Sequence, residues 1–172
     1  MNILVFDLDN TLLHLSNFQL KLLQINSNSN SNSNIKKVYN TIVPKNTKLK
    51  RLLSKFNNHK FIFSNAQISH VIYSLNSLDI LDNFTNIYSH TTVQLYKPHL
   101  FSYYLVQSNI ALKLSTTNFQ LFFFDDLIEN LKGAKEFNWT TILIGYEKSN
   151  ESYIDYCFTT IEEALTYFQN KL

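Results

Sequence analysis

Four aspartates stand in two pairs, each directly after an apolar run, where carboxylates could hold a cation. Asp7 and Asp9 belong to the stretch VFDLDNTLL, and Asp125 and Asp126 follow the run LFFF. Adjacent carboxylates repel one another when they are buried, so a cation is the simplest reason for a fold to keep them. The first pair taken alone is equally typical of an Asx turn that leaves a strand. A metal site and a turn are both open at this point.

Two further polar positions follow apolar segments or precede a helix. Ser64 comes after the segment KFIF, and Lys97 stands just before Pro98. Each has an ordinary explanation by itself, because Ser64 could cap a helix that starts near Gln67 and Lys97 could be a surface lysine. These two residues become informative through their order along the chain, because both lie between the two aspartate pairs.

The elements that must position these residues alternate between strands and helices. Short apolar runs predict strands at residues 2–6, 60–63, 87–89, 121–124, 141–144 and 156–158. Helical spacing of apolar residues predicts helices at 15–25, 46–56, 67–78, 98–106, 127–137 and 161–168. The alternation predicts an α/β fold, a three-layer Rossmann-like parallel sheet with helices on both faces. Sites in such sheets form at the carboxyl ends of strands, where Asp7, Ser64 and Asp125 are all expected.

The composition is typical of one compact domain in a reducing compartment. With 172 residues and 45% hydrophobic content, we expect a single domain over residues 1–172. The single cysteine, Cys157, excludes an internal disulfide framework. The first apolar run is too short for a secretory signal, and no stretch approaches the roughly 18 apolar residues of a membrane span. These features predict a soluble, cytoplasmic protein that binds no membrane.

Positive charge is concentrated in the first half of the chain, although the net charge is only +2. No acidic residue lies between Asp9 and Asp79. The basic cluster comprises Lys36, Lys37, Lys45, Lys48, Lys50, Arg51, Lys55 and Lys60. The simplest interpretation is a solvated helix face. The alternative is a positive rim that guides a phosphorylated polyanion toward a nearby site.

In their order along the chain, the polar positions resemble the four motifs of the haloacid-dehalogenase-like (HAD) hydrolase superfamily. The matches are Asp7, Asp9 and Thr11 to motif I (DxDxT), Ser64 to motif II, Lys97 to motif III, and Asp125 and Asp126 to motif IV. This resemblance spans nearly the whole chain. The segments FSNAQISH, YKPH and FFDDLIEN are further similar to segments of the yeast-type pyrimidine 5′-nucleotidases.

The resemblance implies a Mg²⁺-dependent phosphatase that works through an aspartyl-phosphate. It implies metal ligands from the Asp7 carboxylate, the Asp9 backbone carbonyl and Asp125. Asp7 would attack phosphorus, and Asp9 would protonate the leaving oxygen and then deprotonate the hydrolytic water. The dehalogenase branch lacks an acid at the position of Asp9, so this residue favours phosphoryl transfer.

The resemblance also assigns the groups that bind the phosphoryl group. Ser64 and the backbone N–H of Asn65 would hold phosphoryl oxygens, and Lys97 would offset the remaining negative charge. Asp126 would orient Lys97 or a metal-bound water, and Thr11 would support motif I. His70 matches a histidine of the nucleotidase branch, but on a helix after motif II it is expected to fill an interface.

The segment between motif I and the helix before motif II departs from a full cap domain. Residues 14–43 are too many for a plain connection and too few for a folded cap. Within them, residues 26–34 form the repeat NSNSNSNSN, which predicts a disordered loop. We therefore expect a minimal, rudimentary cap of one helix and a flexible loop. Such a cap would leave the site more open to water or to a macromolecular phosphate.

The substrate that fits these features is a small phosphorylated molecule such as a nucleotide. One alternative is a phosphoprotein or nucleic-acid-end phosphatase, because DLDNTLLH is also similar to the first motif of the capless carboxy-terminal-domain phosphatases. Another is a non-catalytic HAD-like binding module. The complete set of motif positions argues against that module, since a protein freed from catalysis need not keep two costly acid pairs.

Overall fold

The computed structural model describes residues 1–27 and 32–172, which form alternating strands and helices. The strands are β1 (Asn2–Phe6), β2 (Lys60–Ser64), β3 (Asn86–Ser89), β4 (Gln120–Asp125), β5 (Thr140–Ile144) and β6 (Tyr156–Phe158). The helices are α1 (Asn17–Ser27), α2 (Asn32–Ile42), α3 (Thr47–Leu53), α4 (Ile68–Ser77), α5 (His90–Val93), α6 (Leu100–Leu114), α7 (Ile128–Lys135) and α8 (Ile161–Phe168). A short 3₁₀ helix, Leu81–Asn83, precedes β3.

The six strands form one parallel sheet in the order β3-β2-β1-β4-β5-β6. In its register, Val5 of β1 lies opposite Phe61 of β2 and Phe123 of β4. Because β1 is central, the carboxyl ends of β2 and β4 flank its own. The predicted α/β class and parallel sheet are confirmed, and the topology brings the three motif-bearing strand ends together.

Helices cover both faces of the sheet and bury a separate core on each. Along β1, Leu4 and Phe6 point into the core shared with α2, α3, α4 and α8, while Ile3 and Val5 point into the core shared with α5, α6 and α7. Strands buried on both faces must be apolar at every position, which explains the uninterrupted apolar runs. The molecule therefore has the predicted three layers.

Cap residues mark the ends of two helices, while α6 begins after Pro98, the first residue of its predicted range. Asn46 caps α3, because its Oδ1 accepts a hydrogen bond from Leu49 N–H at 2.9 Å. Asn138 follows α7 with a positive φ of 57°. Pro98, by contrast, lies before the N-cap residue His99 rather than inside the first turn of α6.

The described part of the segment 14–43 contains two helices, one more than the sequence predicts. The unpredicted helix is α2, whose apolar residues Ile35, Val38, Tyr39 and Ile42 pack on the core at helical spacing. The ends of the Ser-Asn repeat belong to helices, since α1 extends through Ser27 and α2 begins at Asn32. The prediction of a disordered loop is therefore wrong for these ends, and residues 28–31 lie outside the described residues. The apolar stripe of α2 outweighs the polar repeat because helix stability in proteins comes mainly from tertiary packing.

Within the described ranges 1–27 and 32–172, no helix combines the length and the apolar character needed to cross a bilayer. The longest helix in these ranges, α6, has 15 residues.

Candidate active site

The carboxyl ends of β1 and β4 hold two carboxylates against one buried lysine. Lys97 Nζ donates to Asp7 Oδ1 and to Asp125 Oδ2, both at 2.7 Å. The side chains of Lys97 and Asp125 are 0% exposed, and that of Asp7 is 10% exposed. Lys97 is thus not a surface lysine, and residues far apart in sequence meet at one point.

Asn65, directly after β2, fixes the backbone of Lys97. Its Oδ1 accepts from Lys97 N–H at 2.7 Å, and its Nδ2 donates to the Lys97 carbonyl at 3.0 Å. Lys97 Nζ also lies 5.1 Å from the ring centroids of Phe63 and Phe123, which adds a cation–π contribution. The Asn65 side chain therefore positions the lysine, a role that the sequence did not predict for it.

Asn130, in the first turn of α7, orients Asp125. Asn130 Nδ2 lies 3.0 Å from both Asp125 oxygens, and Leu127 N–H donates to Oδ1 at 2.9 Å. The Asn130 carbonyl accepts in turn from the Tyr103 hydroxyl at 2.8 Å. The sequence signal that points to Asn130 is an amide five residues after Asp125, inside the motif-bearing segment FFDDLIEN. The sequence does not show which group this amide contacts.

Three carboxylates share the centre with one ammonium group. Burial raises the pKa of Asp7 to about 8, against the opposing effect of Lys97 and with the help of Asp125 and Asp9. Burial alone would lower the pKa of Lys97, but the charges of Asp125 and Asp7 outweigh it and raise that pKa, so the amine stays a cation. The raised pKa disfavours the ionised form of Asp7, and a further cation beside it would stabilise that carboxylate.

Asp7, Asp125 and Asp126 supply an oxygen-rich group that fits a divalent cation. One carboxylate oxygen from each lies within 4.8 Å of the others. Several carboxylate oxygens around one point suit Mg²⁺, a hard cation. Burial, and after it the charge of Asp125, also raise the pKa of Asp126. The chemistry of the donor set therefore fits the metal, and it adds the Asp126 carboxylate to the expected ligands Asp7, Asp9 and Asp125. Of the two roles expected for Asp126, a direct contact that orients Lys97 is not seen among the described residues, because Lys97 Nζ donates to Asp7 and Asp125.

Asp9 lies at the rim of the site and is held by a histidine. Its side chain is 42% exposed, and its Oδ1 is 3.0 Å from His70 Nε2. The other ring nitrogen, His70 Nδ1, is 2.7 Å from the Tyr39 hydroxyl of α2. The prediction that His70 only fills an interface is wrong, because the first turn of α4 points this side chain at the end of β1.

Ser64 and Thr11 are both buried beside the strand ends. Ser64 Oγ accepts from Ala66 N–H at 3.1 Å, while Gln67 is the N-cap residue of α4. The alternative role of Ser64 as the cap of that helix is therefore wrong. Thr11 is 0% exposed, and its Oγ1 has no hydrogen-bond partner among the described residues.

The basic cluster does not form one continuous surface. Lys60 begins β2, at the end of that strand opposite to Ser64, and its buried amine donates to two backbone carbonyls at 2.7 and 2.9 Å. Lys50 forms an ion pair with Asp79 at 3.0 Å. These two lysines serve the fold, and the guidance of a polyanion stays a prediction for the other members of the cluster.

Solved structures of similar fold cover nearly the whole chain. A protein from Thermotoga maritima assigned as a β-phosphoglucomutase superposes with a TM-score of 0.73 at 13% identity, over 100% of both chains. The L-2-haloacid dehalogenase from Xanthobacter autotrophicus gives 0.68 at 14%, over 99% of both chains. A HAD-hydrolase from Bacillus subtilis, YfnB, bound to magnesium, gives 0.67 at 12%, over 98% of both chains.

The chain shares the α/β fold of these HAD proteins. Neither the comparison with protein-family models nor the comparison with curated proteins gives a match. At 12–14% identity the structural likeness establishes the HAD fold alone. The named neighbours include a mutase and a dehalogenase, so the reaction must be argued from the side chains of the site.

Proposed function

We propose that the protein is a Mg²⁺-dependent phosphatase that hydrolyses phosphate monoesters through a phosphorylated Asp7. The observation that carries this proposal is the contact of Lys97 with both Asp7 and Asp125 at 2.7 Å. It provides a carboxylate nucleophile, a buried positive charge beside it and a second carboxylate for a cation. The magnesium-bound HAD neighbour supports the choice of metal. Asp9 supports phosphoryl transfer over dehalogenation, because the dehalogenase branch lacks this acid.

The proposed reaction has two steps that use the same two aspartates. An oxygen of Asp7 attacks phosphorus, the bond from phosphorus to the leaving oxygen breaks, and Asp9 gives its proton to that oxygen. Water then attacks phosphorus and gives a proton to Asp9, so that Asp7 and inorganic phosphate separate. Asp9 can serve both steps because its partly exposed side chain stands at the rim, where the alcohol leaves and water enters.

The remaining groups of the site offset charge. A cation held by Asp7, Asp125 and Asp126, with the Asp9 carbonyl, would screen the phosphate from the attacking carboxylate. Lys97 adds a fixed positive charge that Asn65 keeps in place. In a buried site such charges act more strongly than in water.

The test is hydrolysis of p-nitrophenyl phosphate by the purified protein with Mg²⁺ or with EDTA. We expect turnover with Mg²⁺ only, and a loss of at least about 1000-fold in Asp7→Asn, because an amide is a far poorer nucleophile. Asp82→Asn, an exposed acid in the short 3₁₀ helix, is the matched control and should keep full activity. Equal activity in Asp7→Asn would exclude the nucleophile, and no hydrolysis of any ester would favour a non-catalytic module.

For the substrate we favour a nucleoside monophosphate, on the similarity of FSNAQISH and YKPH to nucleotidase segments. A macromolecular phosphate is the second candidate, because Asp9 is 42% exposed and the described part of the segment 14–43 adds only α1 and α2. The two are separated by turnover of nucleoside monophosphates, a phosphoserine peptide and a 3′-phosphorylated oligonucleotide. Faster turnover of only the polymers at low salt would support guidance by the basic cluster, and turnover of every substrate independent of salt would refute it.

A further inference from the structure

A chain of hydrogen bonds connects the helix α2 to the candidate acid Asp9. The Tyr39 hydroxyl is 2.7 Å from His70 Nδ1, and His70 Nε2 is 3.0 Å from Asp9 Oδ1. The three residues come from three different elements, α2, α4 and the loop after β1. Tyr39 is 5% exposed, and its ring packs against those of His70 and Tyr73. The first member of the hydrogen-bond chain is therefore held rigidly.

We infer that Tyr39 and His70 are positioning residues that hold Asp9 Oδ1, so that Oδ2 carries the proton to the leaving oxygen. This inference rests on the proposed phosphatase function, because it requires Asp9 to be the general acid. An aspartate that is 42% exposed has several accessible side-chain rotamers, and only one can face the leaving group. The bond from His70 selects one of them.

When His70 is neutral, the hydrogen bonds from Tyr39 through His70 to Asp9 have only one consistent order of donors and acceptors. Tyr39 can donate to Nδ1 only if this nitrogen carries no proton, which places the ring proton on Nε2, where it donates to Asp9. Burial, followed by the charge of Asp9, raises the pKa of Tyr39 to about 12, so its hydroxyl keeps the proton that it donates. In protonated Asp9, Oδ1 is then the accepting oxygen and Oδ2 the oxygen that carries the acidic proton.

This role gives the segment 14–43 a function other than covering the substrate. α2 is fixed on the core by Tyr39 and by its apolar neighbours. Through His70 the same tyrosine determines the orientation of the acid. The two helices described in this segment can in this way contribute to the geometry of the proton-transfer step.

The experiment compares two esters that differ in their need for an acid. Glycerol 2-phosphate releases an alkoxide that must be protonated, whereas p-nitrophenyl phosphate releases a stable phenolate. The measured quantity is kcat/KM with Mg²⁺, which reports formation of the aspartyl-phosphate. Because general acids contribute about 100- to 10,000-fold, His70→Leu should lose at least about 30-fold on glycerol 2-phosphate and less than about 3-fold on p-nitrophenyl phosphate.

Conservative variants separate positioning from packing. His70→Gln retains an N–H near the position of Nε2 and should recover most of the loss on glycerol 2-phosphate. Tyr39→Phe keeps the ring and removes the hydroxyl, and should lose about 3- to 10-fold on glycerol 2-phosphate only, a part of the general-acid contribution. Tyr73→Phe removes a hydroxyl from the neighbouring ring, which packs 5.3 Å from Tyr39, and should change neither ester. Thermal unfolding shows that each variant is folded.

Equal losses on both esters, or full activity in both His70→Leu and Tyr39→Phe, would overturn the positioning role. Absence of turnover in the wild-type protein on every ester would instead refute the proposed phosphatase function. Nitrogen NMR of the His70 ring gives a second readout without turnover. We expect the Nε2–H tautomer in the wild-type protein and a smaller fraction of it in Tyr39→Phe. A wild-type Nδ1–H tautomer would overturn the inference.

Discussion

At the scale of single residues, Thr11 follows β1 as a fully buried residue whose hydroxyl has no hydrogen-bond partner among the described residues. An unsatisfied buried hydroxyl costs about 1–3 kcal/mol, so a fold gains nothing by keeping it unless a ligand completes it. The role of Thr11 in supporting the first motif stays a prediction, and the unpartnered hydroxyl makes it testable.

Thr11→Val is therefore expected to leave the free energy of unfolding unchanged or to raise it by up to about 1 kcal/mol, since valine fills the same volume without a polar group. At the same time kcat/KM should fall. Urea unfolding and steady-state kinetics measure the two effects. The matched control is Thr141→Val, whose hydroxyl donates to the Tyr153 carbonyl at 2.6 Å and which should lose about 1–3 kcal/mol. A loss in Thr11→Val as large as in the control would contradict this account.

The residue scale also shows which contacts the sequence cannot predict. Residue types and their order predict Asp7, Lys97 and Asp125 through the resemblance to the HAD motifs. The structure pairs Asn65 with the Lys97 backbone and His70 with Asp9. Both pairs depend on how a helix or loop is rotated in three dimensions, and an uncharged amide or an imidazole has many suitable partners in any fold.

At the scale of elements, the packing of α7 against α6 depends on Gly133. A Cβ atom built there would lie 2.7–2.9 Å from the Tyr103 ring, which is 0% exposed. The same tyrosine donates to the Asn130 carbonyl, and Asn130 in turn holds Asp125. A displacement of α7 would thus reach the site.

Gly133→Ala is expected to lower the free energy of unfolding by about 1–3 kcal/mol through overpacking. This result would be opposite in sign to helix propensity, which favours alanine over glycine by about 1 kcal/mol. Kinetics should show a lower kcat as well, because Asn130 moves. Lys132→Ala, at an exposed position of the same helix, is the control and should stay within about 0.5 kcal/mol of the wild-type protein. Stabilisation by Gly133→Ala would show that Tyr103 can move away freely.

Asp155 ties the segment before β6 to β5 and α7. It accepts hydrogen bonds from Lys135 Nζ at 2.6 and 2.7 Å and from Thr141 N–H at 2.8 Å. Burial acts to raise the pKa of Asp155, but the hydrogen bonds from Lys135 and Thr141 outweigh it and lower that pKa below its usual value. The folded protein therefore prefers the ionised form more strongly than the unfolded chain does.

The sign of the resulting pH dependence follows from the lowered pKa. The contribution of Asp155 is complete above the unfolded pKa, near 3.9, and is lost as the pH falls through the lower folded pKa. Asp155→Asn should thus be less stable than the wild-type protein by about 1–2 kcal/mol at pH 7, with a smaller difference below pH 4. Urea unfolding at pH 7 and pH 3 measures this. A difference independent of pH would show that packing, not charge, ties the segment to the sheet.

At the same scale, α2 shows where a sequence pattern misleads. The polar repeat of residues 26–34 predicts a loop, yet α2 begins inside it at Asn32. The decisive signal was the apolar spacing of Ile35, Val38, Tyr39 and Ile42, which follows directly after the repeat. A low-complexity segment and a helix can share residues when the helix is stabilised by apolar residues further along.

At the scale of the whole molecule, the strand order explains why the site could be predicted before its geometry was known. Alternating strands and helices restrict the chain to parallel sheets, and parallel strands place all their carboxyl ends on one edge. The order of the strands could not be read from the sequence alone. It is the central position of β1, between β2 and β4, that sets Asp7 between Ser64 and Asp125.

Because the candidate ligands come from the two central strands, metal binding should stabilise the whole fold. A ligand that binds only the native state adds RT ln(1 + [L]/Kd) to the free energy of unfolding, about 1.4 kcal/mol for 10 mM Mg²⁺ and a Kd on the order of 1 mM. For a domain of this size that corresponds to a rise of roughly 3–5 °C in Tm. Thermal unfolding in 10 mM MgCl₂, compared with EDTA and NaCl at equal ionic strength, measures it.

The same measurement tests whether the Asp126 carboxylate binds the metal, because the geometry adds it to the expected ligands. Asp126→Asn should lose at least about half of the rise in Tm, since removing one charged ligand weakens Mg²⁺ binding and raises Kd by at least about 4-fold. Asp82→Asn should keep the full rise, because that exposed acid lies in the short 3₁₀ helix. An unchanged rise in Asp126→Asn would remove this side chain from the ligand set and leave Asp7, Asp125 and the Asp9 carbonyl to hold the ion. An equal rise with NaCl would mean that the salt screens the repelling carboxylates without binding between them.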